Sequence, residues 1–274
     1  GTNARPIPSL TVERNYTDAF KSPWLRWIGP WRASLAVGQA DRGDSARDGA
    51  LTVLPDVKYL AARVNFKPKP WLEFALTRSA QFCGQGRECN LGTVGDLLLG
   101  RDNQVVNGST STQPGNQMAG YDVRVRSPWK KLPVAGYLQF IGEDEASGLP
   151  SKFMGLLGGE LWGANRFGSW RLRGEFADSA CTFTRSVPQF NCGYRNGLFP
   201  QGYTYRGRVI GHAMDNDGRM YSAAALLVRP SGETWSLLVR KVNLNRGGGM
   251  DSAHALSPGP AEIKNVELQY NRGL

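Results

Sequence analysis

Residues 57–82 read VKYLAARVNF-KPKP-WLEFALTRSAQF, two alternating segments joined by a four-residue turn. In the first segment, Leu60, Val64 and Phe66 fall on one side of an extended chain. The charged side chain of Arg63 falls on the opposite side. Period-two alternation on both sides of a tight turn predicts a β-hairpin with one apolar and one polar face.

The same rhythm recurs along the chain, and the gaps between alternating segments are short and long in turn. Strands are predicted at 7–13, 31–40, 57–66, 71–82, 118–126, 133–142, 152–162, 167–177, 220–229, 233–245 and 262–270. Lipid requires one apolar face on each strand, and a lumen tolerates charge on the other. The pattern predicts an all-β, antiparallel transmembrane β-barrel of outer-membrane type, partial, with about eleven or twelve strands.

The segments between the strands have their own expected structures. Residues 17–30 are expected to form a short helix or a segment tucked against the barrel, and residues 91–100 a short helix. Residues 142–150 are expected to form an acidic outer loop, and 178–204 a long one. The stretch 205–217 is irregular. The barrel is therefore expected to combine short turns at one end with long external loops at the other.

The totals are consistent with one domain and no transmembrane helix. The chain has 274 residues, a mean hydropathy of −0.38 and no run of 18 apolar residues. A soluble all-β protein remains an alternative on composition alone. The chain begins with Gly and lacks a leader and a terminal aromatic residue. We expect residues 1–274 to be a single barrel domain, truncated at one or both ends.

The net charge of +10 arises largely from arginines placed within strands. Arg124 and Arg126 are two residues apart, as are Arg171 and Arg173, so each pair shares one strand face. A lumen lined in this way would be positive and would suit an anionic polymer or solute. Nucleic acid is not an expected partner, because the basic residues do not form a cluster.

The four cysteines form two local pairs in predicted loops. Cys83 lies near Cys89, and Cys181 lies near Cys192. Small closed loops of this kind favour disulfides formed in an oxidising compartment. A zinc site is the alternative, but the spacing is not that of Zn motifs and no His is close.

Signals for catalysis are weak. The two histidines, His212 and His254, have no nearby nucleophile motif. Residues 215–218 (DNDG) lack the spacing of a calcium loop. The acidic run 143–145 has the chemistry of a glycosidase pair, but neighbouring strand residues point in opposite directions. We expect no enzymatic activity, no metal and no cofactor.

Four segments of the chain resemble the Wzi-type capsule assembly family: SLTVERNYTDAFKSPWLRWIGPW (9–31), ARVNFKPKPWLEFALTRSAQFCG (62–84), LLLGRDN (97–103) and YTYRGRVIGHAMDNDGRMYS (203–222). The resemblance implies an outer-membrane barrel of about eighteen strands in a Gram-negative bacterium. It also implies a lectin, not an enzyme, that holds newly exported capsular polysaccharide on the cell surface. This chain differs in showing only about two-thirds of those strands.

Aromatic, amide and charged side chains of the loops and lumen-facing strand ends are the candidate sugar ligands. These are Arg78, Gln81, Arg101, Asp102, Asn103, Tyr194, Arg195, Tyr205, Arg206 and His212. The alternative is that such charges only pair with one another inside a wide barrel.

The expected function is that of a non-catalytic outer-membrane lectin. Its expected partners are capsular or another anionic surface polysaccharide and outer-membrane lipid. The main alternative is an outer-membrane porin for anionic solutes, and a weaker one is a soluble β-rich glycan hydrolase.

Overall fold

The computed structural model describes residues 7–15, 18–40, 54–98, 115–129, 131–146, 149–194, 196–206, 208–248 and 256–272. Within these ranges there are thirteen β-strands: β1 (Ser9–Arg14), β2 (Trp31–Gln39), β3 (Lys58–Lys69), β4 (Leu72–Phe82), β5 (Gly115–Arg126), β6 (Val134–Ala146), β7 (Leu149–Asn165), β8 (Gly168–Asp178), β9 (Thr204–Tyr205), β10 (Arg208–Val209), β11 (Arg219–Val228), β12 (Glu233–Leu244) and β13 (Ala261–Arg272). The helices are α1 (Leu91–Leu98) and a 3₁₀ turn (Arg26–Ile28).

Eleven of the described strands form one antiparallel sheet, and only β9 and β10 pair apart from it. Each strand in the sheet pairs with the next one along the chain, except that β8 pairs directly with β11. The predicted strands and their antiparallel meander are confirmed. Both predicted helical segments are present as well.

One predicted loop is wrong. Residues 142–150 continue the hairpin of β6 and β7, with Gly142 opposite Phe153 and Ala146 opposite Leu149. β7 is 17 residues long, whereas a tilted strand needs only about 9–11 residues to cross a bilayer. The hairpin therefore extends well beyond a membrane thickness, and acidic residues near its tip lie within paired strand.

One face of the sheet, here the outer face, is apolar and uncovered along most of its length. Val64 pairs with Leu76, Leu76 with Tyr121, and Tyr121 with Phe140. Val64 is 40% exposed and Leu76 is 52% exposed. A continuous exposed apolar face is unfavourable in water and favourable in hydrocarbon. These rows do not form a dry core between two sheets.

Aromatic rings form a band across this outer face. Neighbouring centroids along the band are 5.0–6.4 Å apart, in the order Phe66, Phe74, Tyr121, Phe140, Phe183, Phe176 and Tyr221. Such spacing is that of stacked and edge-on aromatic pairs. Aromatic girdles are typical of the lipid-facing surface of outer-membrane barrels.

The opposite, inner face is polar and connected by ion pairs and hydrogen bonds. Arg63 Nη1 lies 2.8 Å from a carboxylate oxygen of Asp122, and Gln139 donates to the other oxygen at 2.6 Å. Tyr137 donates to Glu175 at 2.7 Å. Both predicted arginine pairs lie on this face, as the strand register requires. These ion pairs and hydrogen bonds neutralise charged side chains that would be unfavourable in lipid.

The short-turn end of the sheet exposes large aromatic residues. Trp24, just before the 3₁₀ turn, and Trp27, within it, are 86% and 65% exposed, and Trp129 is 69% exposed. Aromatic side chains with nearby basic residues are typical of the membrane–water boundary. Among the described residues, neither helix has the length and hydrophobicity to cross a bilayer.

Candidate functional site

Most of the described residues among 179–218, between β8 and β11, form a cap over the inner face at the long-loop end of the sheet, whereas the ring of Phe183 lies on the outer face. The buried ring of Tyr203 packs against Met118 and Met154, and its hydroxyl donates to the carbonyl of Asn116 at 2.9 Å. Gln81 Nε2 donates to the carbonyl of Gly202 at 2.9 Å. The cap is therefore seated on the strands by an aromatic contact and by hydrogen bonds.

A buried ion network holds the base of the cap. The Asp178 carboxylate lies 2.8 Å from Arg219 Nε and 2.5 Å from Arg246 Nη2. Arg246 Nε also donates to the carbonyl of Asp217 at 3.0 Å. The Asp217 carboxylate accepts the Asn191 N–H at 2.9 and 3.1 Å. Burial lowers the pKa of Arg246, and the Asp178 charge opposes that shift.

Both predicted disulfides are present. Cys181 and Cys192 are joined within the cap, and Cys83 and Cys89 are joined in the loop that follows β4. Each closes a small loop at the long-loop end. The predicted pairing and the oxidising compartment that it indicates are consistent with this arrangement.

Three of the predicted sugar ligands, two of them buried and one partly buried, support the cap. Gln81 is fully buried, and Tyr205 pairs with Arg208 in the β9–β10 hairpin. Tyr194 Oη accepts the backbone N–H of His212 at 3.0 Å, and burial raises the pKa of Tyr194 to about 12. Their position indicates a structural role in holding the cap.

Two other predicted ligands occupy more open positions. Arg206 is exposed on the cap, and its guanidinium lies 5.4 Å from the centre of the Tyr205 ring. His212 faces a cavity of about 390 Å³ between the cap and the inner face. His212 Nδ1 accepts the Met214 N–H at 3.3 Å, and burial lowers the pKa of the imidazole.

Arg78 does not lie with the others, and its expected lumen-facing position is wrong. It pairs with Ala62 and Ala119 on the outer face, where its guanidinium donates to the carbonyl of Leu97 at 2.6 Å. It also donates to Gln117. Arg78 thereby holds α1 on the outer surface. The sequence contained the signal, since Arg78 shares its parity with Leu76.

Arg101, Asp102, Asn103 and Arg195 lie outside the described residues. Within the described part of the chain, the structure brings Gln81, Tyr194, Tyr205, Arg206 and His212 together in and under the cap. Across the whole described part of the chain, no group of three or more His, Cys, Asp and Glu side chains could hold a metal ion.

Sequence reasoning missed the residues that position the cap. Asp178 and Arg246 are 68 residues apart, and Tyr203 contacts an Asn116 carbonyl 87 residues away. Local periodicity carries no information about such distant partners. The burial of Asp178 at the end of a strand requires a charged partner, but that burial is seen only in the structure.

Two sequence comparisons identify relatives of the chain. The family model described as capsule assembly protein Wzi matches residues 1–272. An uncharacterized 55.8 kDa protein in the cps region of Klebsiella pneumoniae is 30% identical over 275 residues. That alignment covers 99% of this chain and 50% of the relative, so the chain spans about half the relative's length.

A solved structure is also similar: Wzi of Escherichia coli, an outer-membrane protein involved in group 1 capsule assembly and described as a carbohydrate-binding β-barrel. The TM-score is 0.79 and the identity 26%, over 99% of this chain and 55% of that one. The predicted barrel-type fold and the outer membrane of a Gram-negative bacterium as its location are confirmed by this match. With its strand meander, its capped inner face and the family match over residues 1–272, the chain belongs to the Wzi capsule assembly family.

Proposed function

We propose that this chain is part of a non-catalytic outer-membrane lectin that binds capsular polysaccharide and retains the capsule at the cell surface. The observation that carries the proposal is the cap, which is fastened over the inner face at the end with the long loops. A fastened surface at that end suits the binding of an external polymer. The carbohydrate binding described for the Escherichia coli relative supports the same assignment.

The fastening of the cap favours a lectin over a porin. The cap is held on the strands by the Asp178 ion network and by the packing and hydrogen bond of Tyr203, and the Cys181–Cys192 disulfide closes a loop within it. A diffusion channel needs an open aqueous lumen, as in the large porins. Because the cap is anchored in several independent ways, it cannot easily move aside, and it therefore obstructs the passage of solutes at this end.

Arg206 is a cap residue placed to contact an anionic polymer. Its guanidinium is exposed and rests near the Tyr205 ring, which limits its freedom before binding. Guanidinium groups bind carboxylates through paired hydrogen bonds. Many weak contacts of this kind, repeated along one polymer, produce high avidity without a single tight site.

The acids of the cap do not support hydrolysis of a glycan. Asp215 and Asp217 are buried, and the Asp217 carboxylate already accepts the Asn191 N–H. A glycosidase needs two carboxyl groups on opposite sides of the bond that breaks. Two buried acids within the cap are poorly placed for that chemistry.

The proposal is tested with the whole protein, purified in detergent and reconstituted in planar bilayers. We expect low conductance, together with retention of the protein on immobilised capsular polysaccharide. Arg206→Ala should weaken that retention about tenfold, the usual scale for losing a charge-assisted contact. Arg229→Ala, at a short turn on the opposite end, is the matched control.

Two results would contradict the proposal. A large, anion-selective conductance would indicate a porin. Equal retention of the wild-type protein on capsular and on unrelated neutral polysaccharide would show that no specific recognition takes place.

A further inference from the structure

A second cavity, lined by both charged and apolar side chains, lies on the inner face at the end opposite the cap. Its volume is about 600 Å³, within the usual range for small-ligand sites. It lies near the short turns, between β3, β4, β5, β7, β8 and β11. The residues that matter here are Arg124, Arg126, Glu160, Trp162, Arg171 and Leu226.

The strand register creates this cavity. Arg126 pairs with Ala135 on β6, and Ala135 pairs with Glu160 on β7. The small Ala135 separates two long side chains and leaves space between them. Two residues after Glu160 on β7, Trp162 pairs with Arg171 on β8. An aromatic ring therefore lies on the same face as three guanidinium groups.

The charges around the cavity are unequal. Glu160 is shared by two arginines, forming one ion pair with Arg124 and a second with Arg171 Nε at 3.5 Å. Arg126 has no carboxylate within ion-pair distance among the residues that the structure describes, and its guanidinium lies 4.9 Å from the centre of the Trp162 ring. Lys67 and Glu73 also line the cavity and pair with each other at 2.8 Å. The lining therefore carries four positive groups and two negative groups, so the cavity attracts an anion.

We propose that this cavity binds an acidic sugar residue, one that carries a carboxylate, within an oligosaccharide or polysaccharide chain. The inference rests on the proposed carbohydrate-binding function and adds a binding site that is separate from the cap. The sugar carboxylate contacts Arg126, whose planar donors match a carboxylate in paired geometry. The C–H face of the pyranose ring packs on Trp162.

Other details of the cavity agree with this ligand. The Arg171 side chain is 56% exposed, so its remaining donors are free to contact sugar hydroxyls. Leu226 pairs with Arg171 and adds an apolar surface beside it. In outer-membrane barrels the short turns face the periplasm. The site would therefore contact the polymer at the periplasmic end of the barrel, while the cap contacts it outside.

The test uses the whole protein labelled with 5-fluorotryptophan, and the probe is trigalacturonate. The ¹⁹F signal of Trp162 is assigned by its loss in Trp162→Phe. We expect trigalacturonate to shift that signal and its methyl ester, which has no charge, to leave it unchanged. Arg126→Gln should weaken the effect about tenfold, since a charged hydrogen bond is lost. Arg126 makes no ion pair with the described residues, so the variant is expected to fold.

The outcomes separate this inference from the proposed function. If polysaccharide binds the protein but trigalacturonate leaves the Trp162 signal unmoved, the periplasmic site is refuted and the lectin proposal stands. If inorganic phosphate or glycerophosphoglycerol shifts the signal as strongly, the cavity is a general anion or lipid-headgroup site and the inference is wrong. If no polysaccharide binds at all, both proposals fail.

Discussion

The Arg246 guanidinium, in the turn that follows β12, lies 2.5 Å from the buried carboxylate of Asp178 at the end of β8. Arg219, at the start of β11, reaches the other carboxylate oxygen at 2.8 Å. One acid therefore joins three strand ends at the point where the chain enters and leaves the cap. This contact fixes the base of the cap on the ends of the strands.

Asp178→Asn should destabilise the protein, because two arginines lose their buried counter-charge. The expected loss is about 3 kcal/mol of unfolding free energy. Urea denaturation in detergent measures it. The control is Glu262→Gln, which removes an exposed acid paired with Lys241 and Lys264. That control should leave the midpoint almost unchanged, and an equal shift in both variants would contradict the role given to Asp178.

Tyr203→Ala should release the cap, since it empties the space between Met118 and Met154. The cost is about 3–5 kcal/mol for an aromatic side chain removed from a packed site. Tyr203→Phe keeps the ring and removes only the hydrogen bond to the Asn116 carbonyl, so about 1 kcal/mol is expected. Limited proteolysis of the cap and bilayer conductance report the effect. Equal behaviour of the two variants would rule out packing as the main contribution.

Removal of the Cys181–Cys192 disulfide, by Ser at both positions, should cost about 2–3 kcal/mol through the entropy of an eleven-residue separation. Cap proteolysis should become faster. The matched variant replaces Cys83 and Cys89, which close a loop outside the cap. Faster cap cleavage in that variant, with none in the first, would be inconsistent with this arrangement.

Stability should fall as the pH decreases, in part because of His212. Burial lowers the pKa of His212 in the folded protein below its ordinary value of about 6.5. The unfolded state therefore binds the proton first, and stability present above about pH 6.5 is lost as the pH falls towards the folded pKa. His212→Gln should flatten the change in melting temperature between about pH 7.5 and 5.5. An unchanged slope in that variant would exclude His212 as the source.

The neighbours Val239 and Leu238 test which face of the sheet meets lipid. Val239 lies on the outer face, opposite Val266, and Leu238 lies on the inner face, opposite Glu267. Val239→Arg should cost about 2–4 kcal/mol near the bilayer midplane, whereas Leu238→Arg gains an acidic neighbour. Folding into lipid vesicles measures the difference. A larger cost for Leu238→Arg would reverse the assignment of the faces.

Much of the fold could be predicted from short stretches of sequence. Alternation at 57–82 placed Leu60 and Val64 on one face and Arg63 on the other, and the register confirms this. Both disulfides followed from local spacing. These features depend on residues that are close in sequence. The alternation alone did not distinguish lipid-facing strands from a sandwich core, since both need one apolar face.

The candidate site was harder to predict. Gln81 and Tyr194 were expected to bind sugar, but the structure uses them to seat the cap. Arg78 lies on the outer face and holds α1. A polar side chain at the end of a strand serves equally well for ligand contact or for internal support. Only its distant neighbours distinguish the two roles.

By itself, the sequence determined the strands, their polar and apolar faces and the two cysteine pairs, because each depends on a period of two residues or on a short loop. The tertiary structure alone decided that the cap covers the inner face at one end and that Asp178 meets Arg246 at its base. It also decided that Arg126 and Trp162 meet beside a cavity at the other end. Such contacts join residues from different strands and loops, and they depend on how the sheet register and the fold of the cap align them in space.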